Sequence, residues 1–176
     1  MRAILGVLLV FGLSAALAVA GDTGPGTAYC FGTDCPCGND DPTAGCINST
    51  GVGGLLTVTG SSSIAANDLA FHGAQLPRNS VTLAVLGTGS GVMPFGDGKL
   101  CLAGGPITRM PQHLNSGDLG MASFYNVCDA MTLSGVPLTP GLTLNFQIWN
   151  RDAPAKFTPC GRKANLTNAY SITFTP

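Results

Sequence analysis

Residues Leu142–Asp152 read LTLNFQIWNRD, and this stretch decides the fold. Leu142, Leu144, Phe146 and Ile148 alternate with Thr143, Asn145, Gln147 and Trp149. A two-residue period is the mark of a strand with one face buried. The other face carries amide groups and the only tryptophan of the chain, so it is either half covered or functional. The stretch ends on a charged pair, Arg151–Asp152. Its natural partner is Asn165–Pro176, NLTNAYSITFTP, a second strand that closes the chain.

Short apolar runs of the same kind recur upstream. Leu55–Thr59 (LLTVT), Ile64–Phe71, Ser80–Leu86 (SVTLAVL), Lys99–Leu102 and Pro106–Met110 are expected as strands. Leu119–Tyr125 and Val127–Leu133, around Cys128, are two less regular candidates. Gln75–Asn79 and the proline-bearing Val136–Gly141 read as turns, and Pro111–Gly117 as polar loop. Gly96-Asp97-Gly98 is a hairpin signal, because glycine accepts positive φ. The chain of 176 residues contains no glutamate, and its nine acidic residues are all aspartate. Aspartate, asparagine, serine and glycine favour turns and caps over helix interiors. The expected fold is therefore all-β: an antiparallel β-sandwich of jelly-roll or immunoglobulin-like type. It should occupy 51–176, behind a flexible lead-in and cysteine-rich segment at 21–50.

The first residues have a different character. Met1-Arg2-Ala3 is a short basic start, Ile4–Leu17 is almost wholly apolar, and Ala18-Val19-Ala20 is a small-x-small cleavage site. This is the pattern of a secretory signal peptide over 1–20. The apolar run is shorter than the ~20 residues of a spanning helix, so no membrane span is expected after cleavage. The expected location is extracellular or at the cell surface.

Export makes disulfides the default state of cysteine. Cys30, Cys35, Cys37 and Cys46 crowd together, while Cys101, Cys128 and Cys160 are scattered. Proline between Cys35 and Cys37 stiffens the backbone and disfavours a bond between them. Two local pairings remain, 30–35 with 37–46 or 30–37 with 35–46, and the second is preferred as the interlocked one. Cys101 and Cys160 are then expected to pair, leaving Cys128 as a buried free thiol, with an intermolecular bond or a redox role as the lesser alternative. Neither a Cys-x-x-Cys motif nor a histidine pair offers metal-ligand spacing, so neither metal nor cofactor is expected.

The motifs CPCGN with GC and NST after it, PFGDGKLC, Arg109 after GGP, FQIWNRD and NLTNAYSITFTP occur in order along the chain. Together they resemble an uncharacterised family of secreted, cysteine-rich bacterial β-domains. The resemblance implies a β-sandwich and export, and brings no activity. It also implies a six-cysteine pattern to which Cys128 is an addition. Asn150 stands where the family carries an aromatic residue.

The formal net charge is −1 and no basic block exists, which argues against nucleic acid as a partner. His72 and His113 are the only histidines, and no motif joins either to a serine and an aspartate as a triad. No catalytic residues are assigned, and the reading leans away from an enzyme. Trp149, with Gln147, Arg151 and Asp152 nearby, is the candidate ligand site: an aromatic plate flanked by polar groups suits a sugar ring. The expected role is binding or adhesion at the cell surface, to carbohydrate or another surface protein. The alternatives are a structural envelope protein and, behind it, an extracellular hydrolase. A lone tryptophan in a β-domain is more often a core anchor, and an Arg–Asp pair at a strand end more often a structural clamp.

Overall fold

The computed structural model describes residues 25–152 and 158–176. The expected signal peptide lies outside the described residues. The fold is an antiparallel β-sandwich with one short helix.

The strands are β1 (Thr27–Tyr29), β2 (Leu55–Thr59), β3 (Ala70–Ala74), β4 (Val81–Gly87), β5 (Gly91–Phe95) and β6 (Gly98–Ala103). They continue with β7 (Ile107–Asn115), β8 (Ala122–Phe124), β9 (Thr143–Arg151), β10 (Ala164–Leu166) and β11 (Ala169–Thr173). The helix α1 (Val127–Leu133) lies between β8 and β9. The larger sheet has the order β1-β11-β9-β4-β7, with β10 also paired to β9. A second sheet of three strands, β2-β3-β8, faces it, and β5 and β6 form a separate hairpin.

The stretch Leu142–Asp152 supplies the sheet's central strand, β9. One edge pairs with β4 and the other with β11 and then β10, which run end to end. Alternation divides its side chains as the sequence requires. Leu144, Phe146 and Ile148 join Ala84 and Leu86 of β4 and Ile172 of β11 in the main core. Leu56, Val58, Phe71 and Phe124 of the smaller sheet and Val127 and Met131 of α1 complete it. Phe71 and Phe146 meet across the sandwich with ring centroids 4.8 Å apart and planes tilted by 55°. Such contacts add to the burial of large apolar area that stabilises the sandwich.

The reverse face of the sheet is also covered. Leu83, Val85, Leu100, Leu102 and Leu166 form a second, smaller cluster, against which Trp149 packs half-buried. The hairpin of β5 and β6 supplies this cover. At its turn Gly96 holds φ of 61°, and a side chain there would run into the Ala164 carbonyl.

Several local expectations change. The strand sought at Ile64–Phe71 begins only at Ala70, after a turn in which Asn67 has φ of 47°. Pro111–Gly117 is not all loop, because β7 runs on to Asn115 through a bulge opposite Leu83 and Val85. Val127–Leu133 is a helix: Val127, Cys128, Ala130 and Met131 are buried, a helical and not an alternating spacing. The cysteine-rich segment is built into the domain. β1 is the sheet's outer strand beside β11, and Ile47 bridges Gly53.

The disulfides are Cys35–Cys46, Cys30–Cys101 and Cys37–Cys160, and Cys128 is free and buried. Cys35–Cys46 agrees with the preferred local pairing. The expected Cys30–Cys37 and Cys101–Cys160 bonds are replaced by two long-range ones. The reason is spatial: β1 and the cysteine loop lie beside β6, so Cys30 and Cys101 meet with Cα atoms 6.4 Å apart. No helix among the described residues is long and apolar enough to cross a membrane. Three disulfides fit an oxidising, extracellular environment.

Candidate functional site

A groove of about 740 Å³ opens on the reverse face of the large sheet, between the β5–β6 hairpin and β7. Its position follows from strand register. Trp149 of β9 lies opposite Leu83 of β4 on one side and Leu166 of β10 on the other. Val85, two residues along from Leu83, pairs with Arg109 of β7. Leu83, Val85, Trp149 and Leu166 line the groove from the sheet. Phe95 and Leu100 line it from the hairpin, and Ile107, Thr108 and Arg109 from β7. The lining is apolar except for Thr108 and the Arg109 guanidinium, and no acidic residue contributes to it.

β7 is held by its pairing with β4, and the hairpin wall by side chains and a disulfide. β6 is fastened by Gln147, whose carbonyl oxygen accepts the Cys101 N–H at 2.8 Å. Its amide donates to the Lys99 carbonyl at 3.1 Å and the Thr167 carbonyl at 2.8 Å. The Tyr29 hydroxyl donates to the Cys101 carbonyl, and Cys30–Cys101 secures the same strand covalently. Burial pushes the Tyr29 phenol up to about 12, so it stays a donor at any ordinary pH. At the hairpin tip the buried Asp97 accepts the backbone N–H groups of Cys160 and Arg162, and its own N–H donates to the Ala164 carbonyl. The outer strand β5 is exposed along its whole length. β7 is the terminal strand of its sheet and carries Pro111, which cannot donate to a further strand.

The four residues expected to form a site separate. Trp149 lies in the groove. Gln147 is fully buried beneath the hairpin with its amide committed to three backbone groups. Arg151 is exposed at the strand end and does not line the groove. Asp152 is buried, with its carboxylate accepting hydrogen bonds from the Ser49 backbone N–H at 2.9 Å and from the Ser49 hydroxyl. It therefore clamps the end of the cysteine-rich segment to the end of β9. Arg109, marked in the sequence only as part of a motif, is the charged group that accompanies the indole. Phe95, Leu100 and Ile107 were missed, because a groove shared by a hairpin and four strands has no signature along the chain.

The amide atoms of Asn48 and Asn165, each in an Asn-x-Ser/Thr triplet, serve the fold. Asn48 donates to the Gln75 carbonyl, and Asn165 donates to the carbonyls of Cys46 and Ile47.

The histidines lie elsewhere. His72, on the outer face of the smaller sheet, has Nδ1 3.0 Å from the Ser123 hydroxyl and Nε2 2.8 Å from the Thr59 hydroxyl. A triad places a carboxylate on the imidazole nitrogen that does not face the nucleophile, and here a threonine hydroxyl stands in that place. His113 is exposed on β7 opposite Leu83. Among the described residues no three His, Cys, Asp or Glu side chains converge as metal ligands. Comparison with family models, with curated proteins and with solved structures finds no match.

Proposed function

We propose that this chain is an exported, disulfide-stabilised, non-catalytic binding domain whose ligand occupies the Trp149 groove. The observation that carries the reading is the groove itself. It is concave, of ligand size, lined by apolar side chains round an indole, and has few polar groups. Binding sites for small ligands are typically clefts of about 300–1,000 Å³ with that composition. The Gln147 and Tyr29 hydrogen bonds and the Cys30–Cys101 disulfide fasten the β6 wall in the absence of a ligand, and a fastened wall lowers the ordering cost of binding. Export is supported by the signal-like first residues together with the three disulfides.

Carbohydrate, the first expectation, draws less support from this geometry. A sugar loses water from many hydroxyls and needs polar partners for them. Gln147 is committed elsewhere, and Arg151 and Asp152 lie off the groove.

The test uses an uncharged apolar probe, N-phenyl-1-naphthylamine, whose emission rises on transfer from water to an apolar site. The oxidised protein should raise that emission saturably with one site per chain. Val85→Phe, which fills the groove from the sheet, should abolish the rise while circular dichroism and the disulfides stay unchanged. Emission that is unaffected by the native protein, or is unchanged in a folded Val85→Phe variant, removes the reading.

A further inference from the structure

We infer that the ligand of this groove is a single-chain amphiphile with one acidic headgroup, of the fatty-carboxylate class. The inference rests on the groove-binding reading above and adds a chemical class to it. The groove separates its chemistry by position. Leu83, Val85, Leu100, Trp149 and Leu166 present a continuous apolar interior. The cation belongs to Arg109, on the terminal strand of the sheet, where the side chain is exposed. A ligand that complements both has an apolar body and a single negative charge at one end.

Three features select an acyl chain with a carboxylate. Beyond the Thr108 hydroxyl and the Trp149 indole N–H, the lining offers no side-chain partner for a hydroxyl or amide in the ligand's body, so a body with several polar groups would leave most of them unsatisfied. An alkyl chain has none to satisfy. No acidic residue lines the groove, so an ammonium headgroup would meet Arg109 with like charge and no compensation. A guanidinium binds a carboxylate through two parallel N–H groups, and in that geometry it is a better anion receptor than a lysine ammonium.

The sole tryptophan lies inside the groove, so its emission reads occupancy directly. Octanoate, decanoate and dodecanoate are titrated against the oxidised mature chain below their micellar concentrations. Decanol and decyltrimethylammonium serve as neutral and cationic controls. Each added methylene should tighten binding about fourfold, or about 16-fold from octanoate to decanoate. Decanoate should bind about fivefold tighter than decanol, the upper worth of one ion pair at a solvent-exposed rim. Arg109→Gln should erase that preference and keep the chain-length dependence. Equal binding of decanoate and decanol, or a preference that survives Arg109→Gln, overturns the acidic headgroup while leaving the groove a binding site. Uptake of N-phenyl-1-naphthylamine without any response of Trp149 to the carboxylates overturns the acyl class. Failure of both the neutral probe and the carboxylates removes the binding reading itself. A dimer in sedimentation that dissociates on Ile107→Ser would assign the groove to a second copy of the chain and overturn the proposal.

Discussion

Asp152 and Ser49 are joined twice, by the serine backbone N–H and by its hydroxyl, although 103 positions separate them in the chain. The carboxylate is buried at the end of the central strand, and burial pushes its pKa up. The two Ser49 hydrogen bonds pull it back in part, and the charge of Asp97 adds to the rise. The folded protein therefore holds a proton on Asp152 at pH values where the unfolded chain has released it. By linkage, stability is fully present below the ordinary aspartate value and declines as pH rises through the raised value of Asp152. Asp152→Asn should remove that part of the pH dependence, because the amide keeps an acceptor for the Ser49 N–H and is never charged. Asp152→Ala should cost about 1–3 kcal/mol, the penalty for a buried donor left alone. Urea midpoints across acidic and neutral pH check both, and an Asn variant with the parental pH profile would refute the linkage.

Asp41 and Asp68 work in the opposite direction. For Asp41, burial raises the pKa, but hydrogen bonds from Gly53, Thr43 and Ala44 outweigh it and the net shift is downward. For Asp68, the Ser61 hydroxyl and N–H lower the value. Their stabilising contribution is present above the ordinary aspartate pKa and is lost as pH falls through their depressed values. The Asp152→Asn comparison is a difference between two proteins that share both groups, so it isolates the clamp.

The long disulfides should matter more than the local one. Cys37–Cys160 joins residues 123 apart, and Cys35–Cys46 residues 11 apart. In the chain-entropy model these bonds restrict the unfolded chain by about 5 and about 3 kcal/mol. Paired serine substitutions should lower stability in that order, with a gap of about 2 kcal/mol, measured by denaturant unfolding. Digestion without reduction should yield a peptide linking Cys37 to Cys160, and one linking Cys37 to Cys30 instead would contradict this topology.

The same contrast shows what could be read along the chain. β9, β4 and β2 were legible because each alternates over five or more residues and has one face in the main core. The β5–β6 hairpin was legible at its turn, where Gly96 needs positive φ. α1 was not, because seven residues with four buried positions look equally like a broken strand. Disulfide partners depend on which elements become neighbours in the folded sheet, and spacing does not carry that information. The candidate site was half legible. Trp149 stood out as the single indole, but its companions in the groove come from register across β4, β7 and β10 and from the hairpin. Sequence neighbours in a strand point to opposite faces, and for that reason Asp152 does not accompany Arg151.

Gln147 and Arg151 sit on the same strand and should differ sharply when replaced. Gln147 is fully buried, and Gln147→Leu would leave the Cys101 N–H and the Thr167 carbonyl beneath the hairpin without their partner. At about 1–3 kcal/mol for each buried group deprived of its bond, the loss should be among the largest for a single polar substitution in this domain. Arg151→Ala should change stability by no more than about 0.5 kcal/mol, as for an ordinary exposed position. Thermal unfolding of the two variants checks the contrast. The Gln147→Leu hairpin should also exchange its backbone amides faster, because its main side-chain tie to β9 is gone.

Cys128 packs among the core side chains at 3 % exposure, on the buried face of α1. Burial pushes its thiol pKa up, and the charges of Asp129 and Asp68 push the same way. The thiolate is the reactive form, so both effects lower reactivity, and the attacking reagent also needs the helix to move. Iodoacetamide should modify Cys128 in the native protein about 100-fold more slowly than in the unfolded chain. Cys128→Ala should cost about 1 kcal/mol, and Cys128→Ser more, because a hydroxyl would enter an apolar site. The protein should run as a monomer in electrophoresis without reductant. A covalent dimer that disappears in Cys128→Ala would instead mean that α1 opens widely enough to expose the thiol. The core contacts of Val127 and Met131 would then contribute less than their burial implies.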